Sequence, residues 1–486
     1  MRQFLLILGF CLALLLASPL SATSYFVTQS GAGSQNGLSL ANAWSVAAYN
    51  ANSANSGPTG GDTVLFSGTI TSPISISTSG TGNGTGRLTL DFSGATLNVT
   101  SGNVINLNSN NFITLNGGLI LANNATQITG KLSSGSPETG HDITVQNFTF
   151  TGPTTGTPDF YINGLYSNVL IVNNTVDNVS HCVNAYQGFF SNMTIRNNFC
   201  RTSLDTTTDD DVIQISDAAN VTIEGNKLIN RSPSLSSCCH NDVIQTYSSG
   251  GGSGHHPTSW IIRYNWIETA QQQSGGSGTG VQWTEMQQFA GQPALQMYGN
   301  VFVGTGVSQG GGNGISIHSG TNATDTYYFY NNTLWDHGMP LNPLRLGEGD
   351  GPGTVFINNN AGGNDTTTVS GYQVTFTAGA PFDRNFFYQY TNCTSAVAGP
   401  NGSCSLSPSA FTNTGANDFT LPNGSPLMNA GDSTIGATYN QGICPGATWP
   451  NPALCARIAG AWDVGAYQNG TTTAVNPPTG LTAVVH

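Results

Sequence analysis

A short pattern with asparagine at a fixed place recurs along the middle of the chain. Two apolar residues flank one variable position, two further positions precede the asparagine, and one more variable position separates the asparagine from a third apolar residue. The asparagines, spaced 24 to 39 residues apart, are Asn174, Asn198, Asn226, Asn265, Asn300, Asn332 and Asn360. Repeats of roughly 20–50 residues are typical of solenoids, in which one supersecondary unit stacks on the next.

Weaker copies of the pattern extend the array towards the N-terminus. Residues 112–119 and 143–150 keep the apolar alternation but place Gly117 and Phe148 at the asparagine position. The array is therefore predicted to begin near residue 85 or earlier.

Within each repeat, the segments that alternate apolar and polar residues are only three to six residues long. Such segments are too short for sandwich strands with their own hairpins, but each can form one face of a coil. Stacked coils bury their inward side chains and hydrogen-bond each strand to the coils above and below it. Asparagine suits such coils because it tolerates the left-handed conformation of a sharp bend and because stacked amides can form a ladder. We predict an all-β fold, a single-stranded right-handed parallel β-helix.

The composition excludes the main alternatives to this fold. Only 7% of the residues are charged, so the chain cannot supply the Lys and Glu that cover ordinary solvent-exposed helices. Disorder of the whole chain is disfavoured because 38% of the residues are hydrophobic, including 7 Trp and 22 Phe. The net charge of −13 should repel nucleic acid and anionic lipid, so neither is expected as a partner.

The N-terminus has the three-part pattern of a secretory signal. Arg2 precedes an apolar stretch at residues 4–17, and small residues follow at Ala22 and Ser24, either of which suits cleavage. The stretch is shorter than the ~20 residues of a membrane span. We expect a leader at residues 1–24 and a monomeric protein secreted to the extracellular space or the periplasm.

Eight cysteines remain after the leader, and an even count in an exported chain predicts disulfides. Two pairs, each eleven residues apart in loop-like sequence, are predicted to form local bridges: Cys393 with Cys404, and Cys444 with Cys455. The other four can pair in several ways: Cys182, Cys200, Cys238 and Cys239. Zinc binding by the last two with His240 is the alternative, although adjacent cysteines lack the spacing of zinc knuckles.

Most of the mature chain resembles the pectate-lyase-like β-helix superfamily. The start YFVTQSGAGSQNGLSLANAWSVAAYN, followed by GDTVLFSGTI, is similar to the capping segment and first coil of these proteins, and SPLMNAGDSTIGATY with AWDVGAYQ is similar to their last coil. The resemblance implies a cap and first coil at residues 25–84, a β-helix with a closing coil at residues 85–475, and a Pro-containing tail at residues 476–486. Caps are needed because an exposed coil end is an unpaired sheet edge.

A second set of segments precedes the asparagine motifs and is predicted to form one outward-facing strand of each coil. The segments begin at His181, Asp211, Asp242, Thr279, Asn313 and Asn342. Aligning their inward apolar residues gives an outward column of Asn184, Gln214, Gln245, Gln282, Ser316 and Arg345. Two positions later come Tyr186, Ser216, Tyr247, Thr284, His318 and Gly347, with Glu285 one place beyond Thr284.

Amides, aromatic rings and charged groups along one sheet are the partners that a sugar chain requires. On this basis we assign substrate binding to Asn184, Gln214, Gln245, Tyr247, Gln282, Glu285, His318 and Arg345. The alternative is that the Gln and Asn side chains stack as ladders without any ligand. Glycine-rich insertions between Asn226 and Asn300 are expected to wall a cleft beside this strand.

Three consecutive carboxylates, Asp209, Asp210 and Asp211, lie one coil below His240 and Asp242. Repulsion between carboxylates on coils ~5 Å apart is unfavourable, so we expect these residues to have a function. They predict either a calcium site formed by Asp209, Asp211 and Asp242 or catalytic acids.

The segment DDDVIQIS resembles the paired-Asp strand of polygalacturonases, and this resemblance implies a catalytic role for Asp210 and Asp211. The chain departs from that family at two places. His181 stands where the family has another Asp one coil earlier, and Asn241, Asp242 and Val243 stand where it has Gly-His-Gly one coil later. The match supports a catalytic face at this strand.

We therefore predict a polysaccharide-cleaving enzyme that works by acid/base hydrolysis, with Asp211 and Asp242 as acid and base and Asp210 and His240 assisting. The first alternative is a calcium-dependent polysaccharide lyase, in which the Asp cluster holds the ion and Arg345 or His318 takes the proton. The second alternative is a non-catalytic glycan-binding or surface protein. No cofactor other than calcium is expected. Arg196 and Arg263, which flank Glu224 at equivalent repeat positions, are predicted to form a salt ladder on another sheet.

Overall fold

A computed structural model shows how the repeats stack. It describes residues 22–52, 57–121, 126–129, 138–152, 158–162, 164–185, 189–204, 210–231, 241–247, 256–270, 282–287, 289–305, 313–318, 325–337, 342–346, 353–363, 382–388, 393, 395–457, 460, 462–469 and 474–475. Each coil contributes up to three short strands, and each strand pairs in parallel with the equivalent strands of the coils before and after it.

The strands form three walls around a common core. The first wall precedes the asparagine turn and comprises Leu88–Leu97, Ile113–Asn116, Glu138–Gln146, Gly164–Val172, Phe189–Arg196, Ala218–Glu224, Thr258–Arg263, Ala290–Tyr298, Thr326–Tyr330, Gly353–Ile357 and Phe382–Asp383. The strand Leu88–Leu97 also continues into the second wall. The second wall follows the turn and comprises Leu119–Leu121, Thr149–Thr151, Thr175–Val179, Phe199–Thr202, Lys227–Asn230, Trp266–Thr269, Val301–Gly304, Thr333–Asp336, Asn360–Gly363 and Phe386–Phe387. The third wall is a separate ten-stranded sheet of Ile74–Ser75, Asn103–Asn106, Thr126–Thr129, Pro158–Ile162, His181–Ala185, Ile213–Ser216, Asp242–Tyr247, Gln282–Gln287, Asn313–His318 and Asn342–Leu346.

Parallel registers place inward apolar residues above one another along the whole array. In the first wall, Met193 pairs with Val221, and Ile195 pairs with Ile223, all four wholly buried. Burial of this continuous apolar column is the main stabilising term, at roughly 25 cal/mol per Å² of apolar surface. The structure thus confirms the predicted all-β fold, a parallel β-helix of stacked coils.

The sequence analysis assigned two properties to a single asparagine, namely the left-handed conformation and the stacked amide. In the structure, two adjacent residues of each turn have one property each. Asn198 is buried, and its Nδ2 donates to Oδ1 of Asn226 on the next coil (3.0 Å) and to the carbonyl of Ile171 on the coil before (3.0 Å). The residue before it, Asn197, adopts the left-handed conformation at φ 56°. The same arrangement repeats along the stack, where the preceding residues include Gly225 and Tyr264.

Two positions of the predicted asparagine column were wrong by one residue. Asn332 donates to Oδ1 of Asn359, and Asn359 donates to Oδ1 of Asn385, so Asn359 and not Asn360 continues the ladder. In the weaker upstream copy, Gly118 and not Gly117 is the equivalent of Phe148. Runs of consecutive Asn or Gly leave this choice open in the sequence, and the register of the inward apolar residues decides it.

A second asparagine ladder, which the sequence analysis missed, lies on the outside of the first wall. Asn192 Nδ2 donates to Asn168 Oδ1 (3.0 Å), and Asn220 Nδ2 donates to Asn192 Oδ1 (3.1 Å). All three have φ between 55° and 57°. Asn192 and Asn220 are exposed and Asn168 is half-buried, so this ladder is a weaker counterpart of the buried one.

The N-terminal segment covers the first coils with strands Ser24–Thr28, Trp44–Ser45 and Thr63–Ile70, the α-helix Val46–Asn52 and the 3₁₀ turns Leu40–Asn42 and Gly84–Gly86. Tyr49 of the helix packs edge-on against Phe66 at 5.4 Å, and Phe66 stacks on Phe92 at 4.5 Å. The helix thereby continues the aromatic core of the coils. No helix in the described ranges is both long and apolar enough to cross a membrane.

The described residues between 406 and 469, here called the C-terminal strap, pack along the outside of the coils. The strap contains the 3₁₀ turns Pro408–Ala410, Thr414–Ala416, Ser433–Ile435 and Ala437–Tyr439, and the short helix Ser395–Ala398 precedes it. Its strand Gln441–Ile443 pairs with Leu454–Ala456, and Leu454–Ala456 pairs in turn with Ala474–Val475. Tyr439 donates to Gln296 (2.8 Å), and the backbone N–H of Ala466 donates to Thr333 Oγ1 (3.1 Å). The segments that resemble a closing coil therefore lie, in this structure, against the sides of several coils.

Local covalent and ionic links are as predicted. The structure confirms both local disulfides, Cys393–Cys404 and Cys444–Cys455. It also confirms the salt ladder, since Glu224 lies 3.6 Å from Arg196 and 2.5 Å from Arg263. Cys182 and Cys200 are buried, whereas Cys238, Cys239 and the 476–486 tail lie outside the described residues.

Candidate functional site

The predicted site residues fall on two parallel columns of the third wall. Val183 pairs with Ile213, and Ile213 with Ile244, which fixes the register of three consecutive coils. The column two residues before these positions consists of His181, Asp211, Asp242 and Gln282. The column one residue after them consists of Asn184, Gln214, Gln245, Glu285, Ser316 and Arg345.

The predicted alignment was wrong by three residues at one strand. Gln282 pairs with Asp242, Thr284 with Ile244 and Glu285 with Gln245, so Glu285 occupies the position that was assigned to Gln282. Thr284 is wholly buried on the core side, and Gln287 pairs with His318 in the outward column that Thr284 was expected to join. In the observed register Trp283 and Met286 are both wholly buried.

In the first column, the side chain of Asp211 is hydrogen-bonded to the backbone of Asp242 on the next coil. Asp211 Oδ1 accepts the backbone N–H of Asp242 at 2.7 Å, and its Oδ2 accepts Gln214 Nε2 at 3.1 Å. Asp210, Asp211 and Asp242 are all wholly buried. Each oxygen of the Asp211 side chain therefore has a hydrogen-bond donor.

Asn230, the last residue of a second-wall strand, joins the backbones of Asp210 and Asp242, and the sequence analysis did not identify it. Its Nδ2 donates to the carbonyl of Asp210 (2.7 Å) and to the carbonyl of Asp242 (2.8 Å). Thr202 Oγ1 donates to Asn230 Oδ1 in turn (3.1 Å). A polar residue at an otherwise inward, buried strand position is the signal that could have identified Asn230.

The second column is a hydrogen-bonded chain of amides. Asn184 Nδ2 donates to Gln214 Oε1 (2.9 Å), and Gln214 Nε2 donates to Gln245 Oε1 (2.7 Å). One coil further, Glu285 accepts from Gln282 (3.1 Å) and Gln287 (2.5 Å). Ladders of this kind can form without any ligand, so these amides have a structural role in addition to any contact with substrate.

His181 continues the carboxylate column by one coil. Its side chain is buried, with Nδ1 3.3 Å from Ser180 Oγ, and burial lowers the pKa of the imidazole to about 4. The ring is therefore neutral at neutral pH. A neutral His181 can exchange hydrogen bonds with a substrate but does not add a positive charge beside Asp211.

Several predicted site residues lie wholly or partly outside the described part of the protein. Asp209, His240 and the glycine-rich insertions after Tyr247 and Ala270 lie outside the described residues. Tyr247, His318 and Arg345 are placed in third-wall strands by their backbone, but their side chains lie outside the description. Within the described ranges, no three His, Cys, Asp or Glu side chains are grouped to hold a metal ion.

Comparison with known proteins gives a likeness at the level of fold. No protein-family model matches the chain, and no curated protein sequence matches it. Among solved structures, the crystal structure of pectate lyase Pel9A is similar over 93% of this chain and 97% of that chain, at 17% sequence identity and a TM-score of 0.45. At this identity the likeness concerns the path of the chain and not its chemistry.

Proposed function

We propose that this is a secreted polysaccharide-acting β-helix protein that cleaves glycosidic bonds at the third wall, with Asp211 and Asp242 as the reacting carboxyl groups. The observation that carries the proposal is the stacking of two buried carboxylates on consecutive coils, joined by the bond from the Asp242 N–H to Asp211 Oδ1. Pairs of titratable groups in unlike environments are what general acid/base chemistry requires.

The hydrogen bonds favour one assignment of the acid and base roles to Asp211 and Asp242. Asp211, whose two oxygens each accept an N–H donor, is assigned the role of the base that takes a proton from water. Asp242 is assigned the role of the acid that transfers a proton to the glycosidic oxygen as the carbon–oxygen bond breaks. The water oxygen bonds to the anomeric carbon, and the sum of the steps is addition of water across the linkage. Asp210 and His240 remain proposed assisting residues.

Access is a condition of this proposal. Because Asp211 and Asp242 are wholly buried, this face of the third wall must open before a sugar ring can reach them. Closure around the substrate would then exclude water and strengthen the electrostatic interactions within the site. The amide column of Asn184, Gln214 and Gln245, with Gln282, Glu285 and the backbone-placed Tyr247, His318 and Arg345, is proposed to contact the sugar hydroxyls.

A panel of plant, algal and bacterial polysaccharides tests the proposed reaction. We expect new reducing ends without the ultraviolet absorbance of an unsaturated uronate, because hydrolysis creates no double bond. Appearance of that absorbance would replace the hydrolase proposal with the lyase alternative. Binding without either product would make the protein a non-catalytic glycan-binding protein, for which the hydrogen-bonded amide column already provides a structural basis.

The effect of calcium on the melting temperature distinguishes the acid/base proposal from the lyase alternative. In the lyase alternative, Asp209, Asp211 and Asp242 hold a calcium ion. Asp211 already accepts two N–H donors, so we expect equal melting temperatures in calcium and in chelator. An ion held only by the native state would add RT ln(1+[L]/Kd), roughly 2.7 kcal/mol at a hundredfold excess over Kd. A rise of melting temperature in calcium that disappears in Asp211→Asn would overturn the expectation and restore the calcium site.

A further inference from the structure

A groove of about 490 Å³ opens on the outside of the second wall, away from the carboxylate pair. One side is formed by Lys227 and Trp266, the first residues of two consecutive strands, and the other by Asp418, Tyr467 and the strap loop at residues 445–449. The volume is within the ~300–1,000 Å³ of typical ligand pockets.

The strap loop is fixed in place before any ligand arrives. The disulfide between Cys444 and Cys455 closes it. Trp449 Nε1 donates to the carbonyl of Tyr264 (3.0 Å), and the N–H of Asn451 donates to the carbonyl of Gly225 (2.8 Å). The loop is therefore anchored on two coils, and a ligand in the groove meets a preorganised wall, which lowers the entropy loss on binding.

Aromatic rings line the groove. The ring of Trp449 lies 5.3 Å from that of Trp266 at 58° and 6.5 Å from that of Tyr467 at 79°. Trp266 and Tyr467 are buried, whereas Trp449 is half-buried and keeps part of its ring accessible. An accessible indole in a concave site offers the apolar face against which a pyranose ring packs.

Charged groups of both signs stand beside these rings. Lys227 Nζ lies 5.8 Å from the centre of the Trp266 ring, and within the described part of the chain this half-buried ammonium makes no salt bridge. It is one of only two lysines in the sequence, with Lys131. Asp418 Oδ1 accepts the N–H (3.1 Å) and the hydroxyl (2.6 Å) of Thr420, which fixes the orientation of its carboxylate.

We propose that this groove is a glycan-binding site, separate from the third wall, that holds a pyranose ring against Trp449. Lys227 donates to an oxygen of the sugar, either a hydroxyl or a uronate carboxylate, and Asp418 accepts from sugar hydroxyls. The site lies on the second wall, whereas Asp211 and Asp242 lie on the third. It therefore does not depend on the proposed cleavage reaction and would keep a long chain attached during or between cleavages.

Calorimetric titration with two probes, oligogalacturonate and neutral xyloglucan oligosaccharide, tests the proposal and distinguishes the two sugar chemistries. We expect at least one probe to bind, and Lys227→Gln and Trp449→Ala each to weaken that binding ~10-fold through loss of a charge-assisted hydrogen bond or of ring contact. Lys227→Arg should restore most of the affinity. A larger effect of Lys227→Gln on oligogalacturonate would identify the carboxylate as its partner.

The matched control is Arg201→Gln, which removes one positive charge from the same wall outside the groove, where Arg201 pairs with Asp177 at 2.6 Å. It should leave affinity unchanged. Because Trp449 also anchors the loop, Trp449→Phe and a melting curve for each variant separate loss of a ring contact from unfolding.

The proposal is overturned if neither probe binds, or if a probe binds the Lys227→Gln and Trp449→Ala variants as tightly as the parent. Loss of cleavage in Asp242→Asn with unchanged groove binding would leave both proposals standing. Groove binding by a protein that cleaves no member of the panel would remove the proposed reaction alone.

Discussion

Replacing Asp242 by Asn should lower the rate of polysaccharide cleavage by ~10²–10⁴-fold, the usual contribution of a general acid or base. Asn has the same shape but cannot supply the proton. Asn has nearly the volume of Asp, and the backbone N–H of residue 242 keeps its bond to Asp211 Oδ1. The variant is therefore expected to melt close to the temperature of the parent.

Asp211→Asn should lose as much activity but should also lose stability. The Asn side chain can keep its oxygen towards the N–H of residue 242, but its Nδ2 then faces Gln214 Nε2, which donates to Asp211 in the parent (3.1 Å). Residue 211 is wholly buried, whereas Gln214 is half-buried. A donor without an acceptor at the buried position costs about 1–3 kcal/mol. The two Asp variants should therefore be equally inactive and unequally stable, a difference that denaturant titration measures.

Gln282→Ala provides the comparison within the same column. Gln282 pairs in register with Asp242 and donates to Glu285 (3.1 Å), so its loss should raise KM more than it lowers kcat if it only contacts sugar hydroxyls. Near-parental cleavage by both Asp variants on the best substrate would show that the site is wrongly assigned. Attention would then move to Glu285, His318 and Arg345.

The fold could be predicted from the sequence because one local rule repeats in every coil. The apolar alternation determines which side chains enter the core, and each Asn places a bend and a buried amide. The predictions were wrong where the repeat pattern allows more than one alignment of the chain. The consecutive Asn358, Asn359 and Asn360 offer three candidates for one ladder position, and the strand Gln282–Gln287 offers two ways to bury Trp283.

The candidate site was less predictable because its properties depend on contacts between coils. The stacking of Asp211 under Asp242 follows from the repeat, but their complete burial does not, and neither do the hydrogen bonds that Asn230 of another wall donates to the backbone. The strap likewise joins residues far apart in sequence, as when Trp449 bonds to Tyr264. Periodicity contains no information about such contacts.

The largest loss of stability is expected from Asn265→Ala, in the middle of the buried ladder. Asn265 Oδ1 accepts both the backbone N–H and Nδ2 of Asn226 at 2.9 Å, and its Nδ2 donates to the carbonyl of Ile223 (2.8 Å) and to Asn300 Oδ1 (3.0 Å). Removing the amide takes the acceptor from the backbone N–H and one Nδ2 hydrogen of Asn226, and it takes a donor from the carbonyl of Ile223. At about 1–3 kcal/mol each, with some relaxation, the free energy of unfolding should fall by about 3–6 kcal/mol.

Asn220→Gly is the matched control, because it removes an amide from the exposed ladder at a residue whose φ is 57°. Water replaces the lost bond to Asn192, and Gly accepts the left-handed conformation without strain, so the change should stay within about 1 kcal/mol. Denaturant titration of both variants gives the comparison. Equal losses would mean that the buried amides add no more than the exposed ones, and that apolar burial alone holds the coils in register. A large loss confined to Asn265→Ala would show that the amide ladder itself links each coil to the next.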